Sequence, residues 1–142
     1  MQPDARALLW DAHRAAVLID GFVAGRTWGD YEDDPMLRSA VERQFEIVGE
    51  ALNRLSQVDP PLAAEIRDLP RIVAFRNVLV HGYATIDDAV ICEVVTTRLG
   101  PLIELLVDLP VIEVLSCASR TLTKGSSSSK PEFHDLLAEI TV

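Results

Sequence analysis

This sequence is short of long apolar runs, paired cysteines, positive charge and glycine-rich loops, and each shortage removes a class of function. No apolar run reaches the ~18 residues that cross a bilayer. The start, Met1-Gln2-Pro3-Asp4, lacks the basic residues and unbroken apolar stretch of a secretory signal. A cytoplasmic protein with no membrane partner is therefore expected. Cys92 and Cys117 are far apart and form no CxxC pair, so free thiols are expected in that compartment. Thirteen Lys and Arg stand against 22 Asp and Glu, a net charge of −9. That balance argues against a general nucleic-acid binder, because phosphate contacts need a basic footprint. It leaves room for a local basic patch, or for one that a second chain completes. Gly21, Gly25 and Gly29 follow no phosphate-loop pattern. His13 and His134 have no second ligand at helical or loop spacing, so neither a metal site nor a cofactor is expected.

What the chain does have is helical periodicity. Its 142 residues are 49% apolar, enough for one domain with a core. Leu8, Leu9, Ala12, Ala15, Ala16, Ile19 and Val23 form one stripe and predict a helix from Pro3 to about Ala24. Gly25 to Asp34 reads as a loop. Asp34-Pro35 is a capping side chain before a proline, and it opens a helix to about Gln57 with Leu37, Val41, Val48, Leu52 and Leu55 on its core face. On that helix Glu50 and Arg54 stand at i,i+4 in the favourable order. Asp59-Pro60-Pro61 ends the unit, and one or two turns are expected between Leu62 and Leu69. Pro70 opens a short helix ending near His81, with Gly82 as its cap. Asp87 starts a further apolar helix to about Leu109, which Gly100-Pro101 should kink or split. The pattern predicts an all-α fold, an up-and-down bundle over 1–110 with four main helices and a short extra one. Residues 111–142 read as an extension: an apolar start, a serine-rich linker at 126–129, and one short amphipathic helix through Phe133, Leu136, Leu137 and Ile140. This extension is either a mobile appendage or a docking segment for a second chain.

Candidate chemistry concentrates in Arg76-Asn77-Val78-Leu79-Val80-His81-Gly82-Tyr83. At ~100° per residue, Ile72, Val73, Phe75, Leu79 and Val80 all fall within about 100° of Arg76, so a permanently charged side chain sits inside the apolar arc. Asn77 and His81 are i,i+4 neighbours on an adjoining face. Burying a guanidinium unpaired costs several kcal/mol, ~3 or more. Arg76 is therefore either paired with a carboxylate such as Glu42, Glu46 or Glu50, or snorkelling, or lining a cleft that takes a phosphate. His81 is either a helix cap or a proton-transfer group, the side chain best suited to that role near neutral pH. Asn77 can orient the histidine or a substrate. Tyr83 is a packing residue or an exposed hydroxyl beside the site. Glu50 can orient Arg76 or pair with Arg54 in solvent. Trp10 and Trp28 read as core or interface residues.

Arg76-Asn77-x-x-x-His81-x-Tyr83 resembles the R-x4-H-x-Y signature of the HepT-like toxins of the HEPN superfamily. Glu42-Arg43-Gln44-Phe45-Glu46-Ile47-Val48-Gly49-Glu50-Ala51 is similar to the same family's E-R-x-x-E-I-x-G-E-A stretch. The resemblance covers about residues 5 to 110. It implies a helical bundle that forms a homodimer, with two R-x4-H motifs lining a shared cleft. It implies a metal-independent endoribonuclease acting on RNA, with Arg76 and His81 catalytic and Asn77 in support. It further implies a partner antitoxin, a MntA-like nucleotidyltransferase that places AMP on Tyr83. Two other readings remain open at this point. One is a non-catalytic helical partner of a nucleotidyltransferase. The other is a helical dimerisation module in which Arg76 makes only an internal ion pair.

Overall fold

Side-chain caps decide where most of the helices begin. In the computed structural model, which describes residues 4–82 and 86–109, Asp4 accepts a hydrogen bond from the Arg6 amide and starts α1 (Ala5–Val23). Asp34 accepts from the Met36 and Leu37 amides and starts α3 (Pro35–Val58), with Pro35 in the first turn, where its missing N–H costs nothing. Asp59 starts α4 (Pro60–Ala63), and Asp87 starts α6 (Asp88–Thr97). The helix α5 (Leu69–His81) has no side-chain cap bond at its start but carries Pro70 in its first turn.

The expected loop at Gly25–Asp34 is corrected by α2 (Trp28–Asp33). Thr27 Oγ1 accepts from the Asp30 amide, and an Asp30 carboxylate oxygen accepts from the Thr27 amide, a reciprocal capping box. Gly29 and the shortness of the helix hide it from periodicity. The ring of Tyr31 is buried and stacks on Trp28 at 5.4 Å. The split expected near Gly100-Pro101 occurs at Arg98, where α6 gives way to α7 (Leu99–Asp108). Pro101 is then the third residue of a new helix, so its absent donor falls among amides that have no intrahelical partner anyway.

The core joins the apolar faces of four segments. Leu9, Ala12, Ala16 and Ile19 of α1 meet Val41, Val48, Leu52 and Leu55 of α3, and Leu79, Ile91, Val95 and Leu106 join the same cluster. Helix α3 packs against both α1 and α5, and α7 packs against α1 and α6. With α6 and α7 counted as one split helix, this is the predicted all-α up-and-down bundle of four main helices with short extra turns. Among the described residues no helix is long and apolar enough to cross a membrane. Tyr83, the serine-rich stretch and the whole 111–142 extension lie outside the described residues.

Candidate active site

A glycine in the middle of a 24-residue helix needs a reason, because it costs about 1 kcal/mol relative to alanine there. At Gly49 the reason is Arg76. A Cβ added to Gly49 would lie 2.2 Å from Arg76 Cβ and 2.7 Å from Arg76 Cγ. Helix α5 thus crosses α3 with the arginine stem pressed on bare backbone. Phe75 supports the same crossing, its ring edge-on to Phe45 of α3 at 5.3 Å.

The stem carries the guanidinium to the next residue of α3. Arg76 Nη2 lies 2.9 Å from Glu50 Oε2, and the other carboxylate oxygen of Glu50 is 2.7 Å from Arg54 Nε. Arg76 Nη1 donates to Asn77 Oδ1 at 2.9 Å. Arg76 Nε is buried without an acceptor among the described residues. One carboxylate therefore bridges two guanidiniums, Arg54–Glu50–Arg76, and the amide of Asn77 holds the second arginine from the other edge. Charge-assisted contacts of this kind fix orientation as well as charge. The guanidinium keeps one further N–H on each Nη for another acceptor.

Arg76 is paired with a carboxylate, one of the alternatives left open by the sequence, and it also lines a cleft. The cleft has a volume of about 400 Å³ and lies between α1, α3 and α5. Its charged lining is Asp11 from α1, Arg43, Glu46, Glu50 and Arg54 from α3, and Arg76 from α5. Arg43 spends Nη1 on Glu46 at 3.0 Å. Val80 lines the cleft one turn along α5 from Arg76.

His81 is the last residue of α5, exposed, and is not part of the cleft lining. Gly82 caps the helix through its N–H to Val78 O at 2.7 Å, with φ −107, so the cap uses no left-handed backbone. The structure thus joins Arg76 directly to Asn77, with the Asn77 carbonyl orienting the arginine. His81 stands five residues on, about 140° round the helix from Arg76 by helical geometry. Tyr83 lies outside the described residues. Among those residues no group of three or more His, Cys, Asp and Glu could hold a metal ion. The sequence offered Glu50 as a residue that orients Arg76 or pairs with Arg54, and it does both; Gly49 was given no role. A mid-helix glycine followed directly by a carboxylate was the available signal for both.

The family model described as Ribonuclease HepT-like matches residues 12–109, which include the cleft from Arg43 to Val80 and the segment Arg76–His81. No curated protein and no solved structure matches the chain.

Proposed function

The chain belongs to the HepT-like ribonuclease family, and on that premise we propose that it is the toxin of a toxin–antitoxin pair, a metal-independent endoribonuclease with Arg76 and His81 as its catalytic residues. The observation that carries this reading is the seating of Arg76. A cation that cannot lose its proton is held by Glu50 and Asn77 at the wall of a cleft, with donors to spare.

In this mechanism the RNA 2′-oxygen attacks the neighbouring phosphorus and the 5′-oxygen leaves. The products are a 2′,3′-cyclic phosphate and a 5′-hydroxyl. His81 takes or gives the proton that moves between these oxygens. Arg76 meets the negative charge that builds on the phosphoryl oxygens, where a preorganised donor is worth more than in water. No step needs a metal ion. Asn77 holds the guanidinium in its working orientation.

The acidic surface is reconciled with an RNA substrate by a homodimer, in which two copies of Arg76 concentrate positive potential in a shared cleft. Trp10 and Val17, seven residues apart and so on one face of α1, leave large apolar side chains exposed, which supports pairing there. The partner antitoxin is a MntA-type nucleotidyltransferase that transfers AMP from ATP to the hydroxyl of Tyr83 and releases pyrophosphate. The bulky anion then stands close in sequence to His81 and Arg76 and repels substrate phosphate.

The test is incubation of the purified full chain with RNA in excess chelator, followed by analysis of the product ends. Cleavage with cyclic phosphate ends is expected. Intact RNA under chelator, with cleavage restored by a divalent metal, contradicts the mechanism.

A further inference from the structure

We infer that Arg54 is a second phosphate-binding residue of this ribonuclease site, contacting a backbone phosphate of the RNA beside the one engaged by Arg76. The inference rests on the ribonuclease reading above and adds to it a subsite on α3. Three observations carry it. First, Arg54 and Arg76 share one carboxylate, with contacts of 2.7 Å and 2.9 Å to its two oxygens. The two guanidiniums are therefore held about one carboxylate apart. Second, Arg54 commits only Nε to Glu50, so among the described residues its two terminal amino groups have no acceptor. Those two groups form the edge that binds phosphate bidentately. Third, Arg54 lines the same cleft as Arg76, and its side chain is 56% exposed.

The charges along the cleft favour this residue over its neighbour. Arg43 also lines the cleft, but it has Glu46 to itself at 3.0 Å. Glu50 is divided between two cations, so the Arg54–Glu50–Arg76 set retains one unit of positive charge. Asp11 brings the whole lining to zero, three arginines against three carboxylates, and on a chain of net charge −9 that neutral cleft is a surface an RNA backbone can approach. An i,i+4 ion pair on a solvated face adds little to a helix, so helix stability alone gives Arg54 little to do.

The experiment measures binding of a short 2′-O-methyl RNA oligonucleotide, which lacks the attacking hydroxyl, as a function of salt. For a single strand, each lost phosphate contact lowers the slope of log K against log salt by about 0.7. Arg54→Ala is expected to weaken binding roughly threefold to tenfold, lower the slope by about that amount, and raise KM for cleavable RNA more than it lowers kcat. Arg67→Ala makes the same change in net charge at an exposed site outside the cleft and is expected to leave the slope unchanged. Thermal unfolding of Arg54→Ala establishes that it is folded. If its binding and slope equal those of the unaltered chain, or if Arg67→Ala loses as much, the inference is overturned. An unaltered chain that cleaves no RNA contradicts the ribonuclease reading. A chain that cleaves but binds equally well without Arg54 contradicts this inference alone.

Discussion

Gly49 and Arg76 occupy one point of the α3–α5 crossing: the space that a Gly49 side chain would fill already holds the Cβ and Cγ of Arg76, at 2.2 and 2.7 Å from the position of its Cβ. The next residue of α3, Glu50, receives the guanidinium that this stem delivers. A backbone vacancy and a carboxylate, adjacent in sequence, thus seat the arginine.

Gly49→Ala should be destabilising although alanine is the better helix former. The clash is with a stem held between two helices, and overpacking of this kind costs about 1–3 kcal/mol, more than the ~1 kcal/mol gained in propensity. Gly21→Ala on α1 is the matched control. Nothing lies within 4 Å of its added Cβ, so it should stabilise by about 0.5–1 kcal/mol. Denaturant unfolding of the two variants should give shifts of opposite sign, and a stabilised Gly49→Ala would show that Arg76 is not held as described.

Glu42→Gln should stabilise the chain near neutral pH. Burial, reinforced by Asp88, holds the Glu42 carboxyl above its ordinary value of 4.5, with Arg38 opposing and Glu46 adding to the rise. The folded chain therefore binds this proton more readily than the unfolded chain does. The stability associated with the neutral form is complete below 4.5 and is lost as pH rises through the folded value. Glutamine stays neutral throughout, so its advantage should appear at neutral pH and vanish under acid. Equal urea midpoints at neutral pH would contradict the assignment.

Most of this fold was legible because its caps and stripes are local. Asp34-Pro35 marked the start of α3, and the stripe from Leu8 to Val23 marked the buried face of α1. Helix α2 was missed because one turn and a half gives no periodicity, although Thr27 and Asp30 spelled out its capping box. At the site, the position of Arg76 on an apolar arc announced that it needed a partner. Glu42, Glu46 and Glu50 were all open as partners, and that Glu50 would serve both Arg76 and Arg54 was not legible. The choice depends on the register of α3 against α5, and the Gly49 crossing sets that register.

Arg76→Ala and His81→Ala chains should complement each other when mixed. About 140° of helix separates the two side chains, and His81 is not part of the cleft that Arg76 lines. The proposed homodimer, with its shared cleft, would let one chain supply the arginine and the other the histidine. The mixture should cut RNA that neither variant cuts alone. Activity no greater than the sum of the two would contradict a composite site.

Co-expression with a MntA-type nucleotidyltransferase should add AMP-sized increments to the intact mass of the chain and suppress cleavage. Tyr83→Phe should remain unmodified and active. Increments that persist in Tyr83→Phe would place the modification elsewhere.

Whether Arg76 and His81 perform the cleavage is read from the single-turnover rate of His81→Ala. His81 is exposed at a helix end, so its removal should shift stability by no more than about 0.5 kcal/mol. Loss of a general acid–base group should nevertheless slow cleavage by about 10²–10⁴. A folded His81→Ala chain that cuts RNA in chelator as fast as the unaltered chain would contradict the account.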